Sequence, residues 1–176
     1  MTFREKLIEL KACGEAVEWV GDKSFNEAWA TCERGDRMGW LAEKVGHDKR
    51  ERVLAAGHCA NLVRHLMTDE RSTKAVDVAI AYGEGRATDD ELEIASAAAS
   101  DAAASAAAYA AADAAYSAAS ASAAYAYAAY AAYSAAADAA YSAAYSARRE
   151  ALSKCADIYR QYINKEELAK LLEVAE

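Results

Sequence analysis

The sequence predicts an all-α protein. A cluster of short N-terminal helices precedes a very long Ala/Tyr-rich helix, or a long helical hairpin, and the whole forms a helical bundle. Three observations predict it. The 176 residues contain no Pro. From Ala95 to Ala147 the chain is built only from Ala, Ser, Tyr and the three acids Asp101, Asp113 and Asp138. Ala fixes no side chain and buries no polar group, which makes it the best helix former, and no Gly, Asn or β-branched residue interrupts it there. Third, capping signals and glycines punctuate the remainder at helical intervals. The reading divides the chain into an N-terminal helical domain (1–87), the long Ala/Tyr/Ser-rich helix (88–163) and a short C-terminal helix packing on the N-terminal domain (164–176).

Phe3, Leu7, Leu10 and Val17 make a stripe at helical spacing, so a first helix is expected from Phe3 to Val20, stopped by Gly21. Ser24 with Glu27 is a capping box that opens a short helix through Cys32. Gly35 and Asp36 are read as an interruption before Met38, Leu41 and Val45, and Gly46 ends that piece. Asp48 starts a longer helix carrying Ala55, Cys59, Leu62 and Leu66, with Asp69 expected to close it. The next helix, Ser72 to Tyr82, ends at Gly83 and Gly85. Thr88 and Glu91 form another capping box, with Asp89 and Asp90 in the first turn where carboxylates suit the helix dipole, and this box launches the Ala run. Leu152 to Ile163 continues as an amphipathic helix, and Asn164 with Glu167 caps a last one carrying Leu168, Leu171 and Val174.

At about 100° per residue, Ile94, Tyr109, Tyr116, Tyr127, Tyr130, Tyr141 and Tyr145 share a sector roughly 60° wide, and Leu152, Cys155, Tyr159 and Ile163 stay near it. The eleven-residue recurrence keeps that stripe nearly straight. One helix from Asp89 to Ile163 would be about 110 Å long at 1.5 Å per residue. A compact globule of this size has a radius of gyration of only about 16 Å. Either the run folds back on itself, or it projects and packs against sister chains. Small side chains allow the close approach that self-association needs, so a homo-oligomer through the Ala-rich helix is expected. The Tyr rings serve as packing or as a groove that stacks a planar ligand.

The net charge of −8 argues against general binding of nucleic acid or anionic membrane, since neither counterion release nor lipid attraction would assist. No segment is long and apolar enough for a bilayer span or a signal peptide, so the expected location is cytoplasmic. Cys13, Cys32, Cys59 and Cys155 lie far apart and lack paired metal-ligand spacing, so they are read as reduced core thiols. His58 and His65 are separated by about 10 Å along a helix, too far for one ion. No catalytic set, metal set or cofactor motif is found, and the chain is read as a non-enzyme.

The most specific string runs from Ala28 to Leu41, with Trp29 and Trp40 flanking the charged break Cys32-Glu33-Arg34-Gly35-Asp36-Arg37. Helix ends leave backbone donors and acceptors open, so such a corner suits ligand binding; an Arg34–Asp36 pair would equally serve as a structural lock. Together with Ala12-Cys13, Trp19, the Leu66–Ser72 segment, the Ala run and Cys155-Ala-Asp-Ile-Tyr-Arg160, this string resembles the alanine-rich immunity proteins of phages and bacteria. The likeness covers most of the chain and departs from the pattern at Arg37, where the family has Trp. The resemblance implies neutralisation of a toxin or host-defence component by direct binding, in the host cytoplasm if phage-encoded, and carries no catalytic residues.

Candidate partner- or ligand-binding residues are Arg34, Asp36, Arg37, Trp40, Tyr116, Tyr127, Tyr130, Tyr141, Arg148 and Arg149. The expected partner is a protein toxin or defence component. The alternatives are an oligomeric sponge that sequesters a small anionic, nucleotide-like signal in a Tyr/Arg-lined site, and a structural oligomerisation helix with no ligand.

Overall fold

A computed structural model describes residues 1–67, 69–105 and 144–173, without the side chains of 66, 100–105 and 144–148. The described residues form helices and no strand: α1 (Phe3–Glu9), α2 (Gly14–Val20), α3 (Phe25–Thr31), α4 (Gly35–Lys44), α5 (Lys49–Asn61), a 3₁₀ turn (Arg64–Leu66), α6 (Glu70–Gly83), α7 (Asp89–Ser105), α8 (Ala144–Tyr162) and α9 (Lys165–Leu172). The all-α expectation holds. Whether α7 and α8 belong to one continuous helix, and where Tyr116, Tyr127, Tyr130 and Tyr141 sit, lies outside the described residues. None of the described helices is long and apolar enough to cross a membrane.

The capping signals form as expected. In α3, Ser24 Oγ accepts from the Glu27 N–H at 3.2 Å while the Ser24 N–H donates to Glu27 at 2.8 Å. Thr88 and Glu91 repeat the pattern at α7, and Asn164 Oδ1 accepts from the Glu167 N–H at α9. Each cap satisfies backbone donors that the helix itself leaves open, worth about 1 kcal/mol.

Four expectations need correction. The stretch from Phe3 to Val20 is two helices: Lys11 adopts φ 61°, the Ala12 N–H returns to the Leu7 carbonyl, and α2 doubles back along α1. Phe3 and Leu7 of α1 and Val17 and Val20 of α2 are all buried in the one core. Asp69 does not close α5, which gives way to the 3₁₀ turn; it caps α6 by accepting from the Arg71 N–H at 2.8 Å. Gly35 is no interruption, since it is the buried first residue of α4. Cys13 is exposed, whereas Cys32, Cys59 and Cys155 are buried free thiols as expected.

The core is layered from small residues. α5 packs most extensively on α6, α6 packs on α7, and α8 lies across α4 and α5. Ala55, Ala56, Ala60, Ala75 and Ala79 are buried, and a Cβ placed on Gly83 would stand 2.3 Å from Leu54 Cβ. Helices this closely spaced gain dispersion contacts along their length, because each side chain contributes little area by itself. Tyr159, Leu168 and Leu172 of the C-terminal helices are almost fully buried, so the two ends of the chain share one core.

Candidate functional site

The break between α3 and α4 becomes a walled corner. Arg34 precedes α4 with no side-chain cap of its own; its guanidinium turns onto Asp36, with Nε donating to Oδ1 at 2.8 Å and Nη2 to Oδ2 at 2.5 Å. Those hydrogen bonds, against the opposing effect of partial burial, raise the Arg34 pKa still further. The corner is held from the far end of the chain. Arg160 of α8 donates from Nε to the Trp29 carbonyl at 3.1 Å and from Nη2 to the Cys32 carbonyl, which satisfies acceptors at the open C-terminal end of α3. It also pairs with Asp157 at 2.7 Å.

Beside this frame lies a mainly apolar cavity of about 280 Å³, walled by Phe3, Leu7, Trp19 and Trp29 and rimmed by Arg34 and Arg37. Trp40 and Asp36 also line it. Trp19 is steadied by Lys23, whose Nζ lies 4.8 Å from the indole centroid and donates to the Trp19 carbonyl at 2.6 Å. An adjoining polar groove of about 500 Å³ is lined by Arg34, Arg37 and Arg149, with Trp19, Glu15 and Glu33 around them. Arg34, Arg37 and Trp19 border both spaces, so the apolar cavity opens toward the cationic groove.

The three arginines are paired to different degrees. Arg34 is fixed by its two-point contact with Asp36. Arg37 meets Glu15 at 3.2 Å, and Arg149 meets Glu33 at 3.1 Å. Glu15 is 81% exposed and Glu33 60%, so these two ion pairs are solvated and worth little. Arg37 itself is largely covered, and its Nε is buried without a hydrogen-bond partner. A buried guanidinium N–H left open is a donor that an incoming oxygen acceptor would satisfy.

Burial pushes the Cys32 thiol above its ordinary range, outweighing the lowering effects of the Arg34 backbone and of the Arg37 and Arg160 charges. It therefore stays protonated at neutral pH and is a packing thiol.

Of the residues singled out in the sequence, Arg34, Asp36, Arg37, Trp40 and Arg149 gather around this corner. Arg148 contributes backbone to α8, but its side chain and the four tyrosines fall outside the described set. Sequence reasoning missed Trp19 as a wall, Glu15 and Glu33 as the solvated partners of Arg37 and Arg149, and Arg160 as the brace. The Trp19-x3-Lys23 spacing was a local signal, whereas Arg160 has none, since its partners lie 128 and 131 residues away. It also missed a separate His47, Glu51 and Glu167 cluster able to hold an ion.

Comparison with known proteins adds no relative: no family model, curated protein or solved structure matches the chain.

Proposed function

We propose that the chain is a non-enzymatic binding protein of the immunity or anti-defence type, and that it acts by sequestering a small anionic ligand at the Arg34–Arg37–Arg149 corner. The observation that carries this reading is the meeting of an apolar, Trp-walled cavity with a groove lined by three arginines from two distant chain segments. Such a site suits a ligand with a planar or apolar body and an anionic group, the chemistry of a nucleotide-like signal. The body would enter beside Trp19 and Trp29. The anion would displace Glu15 and Glu33, and take up the open Arg37 Nε and the Arg149 guanidinium.

A concave site of this size favours a small molecule over the flat footprint of a toxin, which would need about 800 Å² on each partner. The resemblance to alanine-rich immunity proteins supports the binding class without selecting the ligand. Self-association through the Ala-rich run belongs to the same proposal, as the way several corners would be carried on one particle.

Native mass spectrometry of protein taken directly from the cells that make it tests the reading. A retained small mass that is lost in the Arg37→Ala/Arg149→Ala double variant is expected. A ligand-free wild type that also fails to bind mono-, di- and cyclic nucleotides in calorimetry would overturn sequestration.

A further inference from the structure

His47, Glu51 and Glu167 place one donor atom each within 4.8 Å of one another. They come from three places in the fold: the turn after α4, the first turn of α5 and the first turn of α9. His47 Nε2 lies 2.8 Å from Glu51 Oε2, and the same carboxylate accepts the Asn164 N–H at 2.8 Å. The imidazole side chain is fully buried, and its Nδ1 has no hydrogen-bond partner. Glu51 is 34% exposed, so the cluster opens to solvent on the carboxylate side.

A hydrogen-bond clamp accounts for only half of the ring. With the proton on Nε2, a buried Nδ1 lone pair is left unused; with both nitrogens protonated, a buried donor is left unused. The Nδ1 edge is thus unsatisfied in every protonation state, and it is the Nε2 edge, 2.8 Å from Glu51, that bears on an ion. Two carboxylates gathered on one edge of a buried histidine also repel each other unless a cation or a proton lies between them.

We propose that His47, Glu51 and Glu167 form a binding site for a single divalent transition-metal ion, with Zn²⁺ as the probe, that ties α9 to the α4–α5 turn. One imidazole and two carboxylates match the donor preferences of Zn²⁺ and its neighbours. Mg²⁺ and Ca²⁺ favour all-oxygen sets and would bind less well. The Zn²⁺ would take the place of the hydrogen between His47 Nε2 and Glu51: a neutral ring shifts its proton to Nδ1, whereas a doubly protonated ring keeps the Nδ1 proton and releases the other to solvent. The third ligand, Glu167, comes from the helix whose Leu168 and Leu172 plug the core, so the ion would stabilise the C-terminal closure. This site shares no residue with the arginine corner and stands or falls separately from it.

The test uses the full chain, stripped with chelator and titrated with Zn²⁺ in calorimetry. It is paired with a Co²⁺ absorption spectrum and with imidazole proton NMR. Glu167→Gln is the decisive variant: it removes a ligand, while the His47–Glu51–Asn164 hydrogen bonds and the Asn164 cap, which uses the Glu167 backbone, are untouched. One Zn²⁺ per chain, a shift of the His47 resonances, and affinity weakened about tenfold or more in Glu167→Gln are expected, since even outer partners of a metal contribute that much. His65→Gln, at an exposed histidine, should bind as the wild type does. Stoichiometric binding that Glu167→Gln leaves unchanged, binding lost instead in His65→Gln, or no binding by the wild type would overturn the site.

Discussion

Gly14 and Gly35 hold the same local position, the first residue of a helix, yet their replacement by Ala should have opposite effects. A Cβ on Gly14 meets nothing within 4 Å. There Ala only narrows the unfolded ensemble and improves propensity, and stabilises by about 0.4–1 kcal/mol. A Cβ on Gly35 would lie 2.4 Å from Cys155 Cβ and 2.8 Å from both Ala156 N and Cys155 C. Two of those three atoms are backbone, so no rotamer change relieves the clash; α4 must move about an ångström away from α8 to restore ordinary contact. Overpacking of this kind costs about 1–3 kcal/mol, and local strain leaves little of the propensity gain to offset it. A net loss near 2 kcal/mol lowers the melting temperature by about 4–8 °C for a chain of this length. Urea unfolding followed by circular dichroism, with wild type, Gly14→Ala and Gly35→Ala side by side, measures the difference. Adding Cys155→Ala to Gly35→Ala should restore nothing, because Cβ and the backbone remain. Equal midpoints for Gly14→Ala and Gly35→Ala would refute the close approach of α4 and α8.

Arg160→Ala should lower the urea midpoint by the equivalent of about 2 kcal/mol, since it leaves the Trp29 and Cys32 carbonyls without their charged donor; Arg160→Lys should recover only part, because an ammonium cannot span both acceptors. Asp77 accepts both terminal nitrogens of Arg64, at 2.5 and 2.8 Å, and these hydrogen bonds hold its folded pKa below the ordinary value. A depressed carboxylate adds stability above its unfolded pKa of about 3.9 and loses it as pH falls through the lower folded value, so Asp77→Asn should flatten the acid limb of the stability curve below about pH 4 while the neutral limb keeps its shape. Brief alkylation of the native protein should label Cys13 alone, with Cys32, Cys59 and Cys155 reacting only in denaturant, as peptide mass spectrometry would show.

What could be read beforehand follows the range of the interaction that fixes it. The caps at Ser24, Thr88 and Asn164 were legible because donor, acceptor and spacing lie within four residues. The break at Lys11 was not, since a non-glycine residue takes the left-handed conformation there and no composition signal marks it. Helical phase told which residues share a face but not which face is inside. Ile94, grouped with the tyrosine sector, is 69% exposed, while Leu92, Ala95 and Ala99 of the same helix are buried. At the base of the Ala run the face that packs inward is thus the one carrying Leu92, Ala95 and Ala99, turned about 100–160° round the helix from Ile94. Near the other end, Leu152, Cys155, Tyr159 and Ile163 keep the expected stripe and are buried. At the site, Arg34, Asp36 and Arg37 were visible as a charged break, but their meeting with Arg149 depends on a contact spanning more than a hundred residues.

That dependence ties the candidate site to the same close approach. Gly35 follows Arg34 directly, and Cys155 lies six residues beyond Arg149 on α8, about 9 Å along the axis. The absent side chain at Gly35 therefore sets how near α8 comes to the corner, and with it the spread between the Arg34–Arg37 pair and Arg149. Arg160, further along α8, repeats the connection by gripping the end of α3. With α8 held at both points, the distant arginine is brought to the polar groove that adjoins the Trp-walled cavity. A site assembled in advance loses less side-chain freedom on binding, so more of each charge-assisted contact survives as affinity. The small residues that make the helices hard to distinguish in sequence are, on this account, what lets two remote segments line one groove.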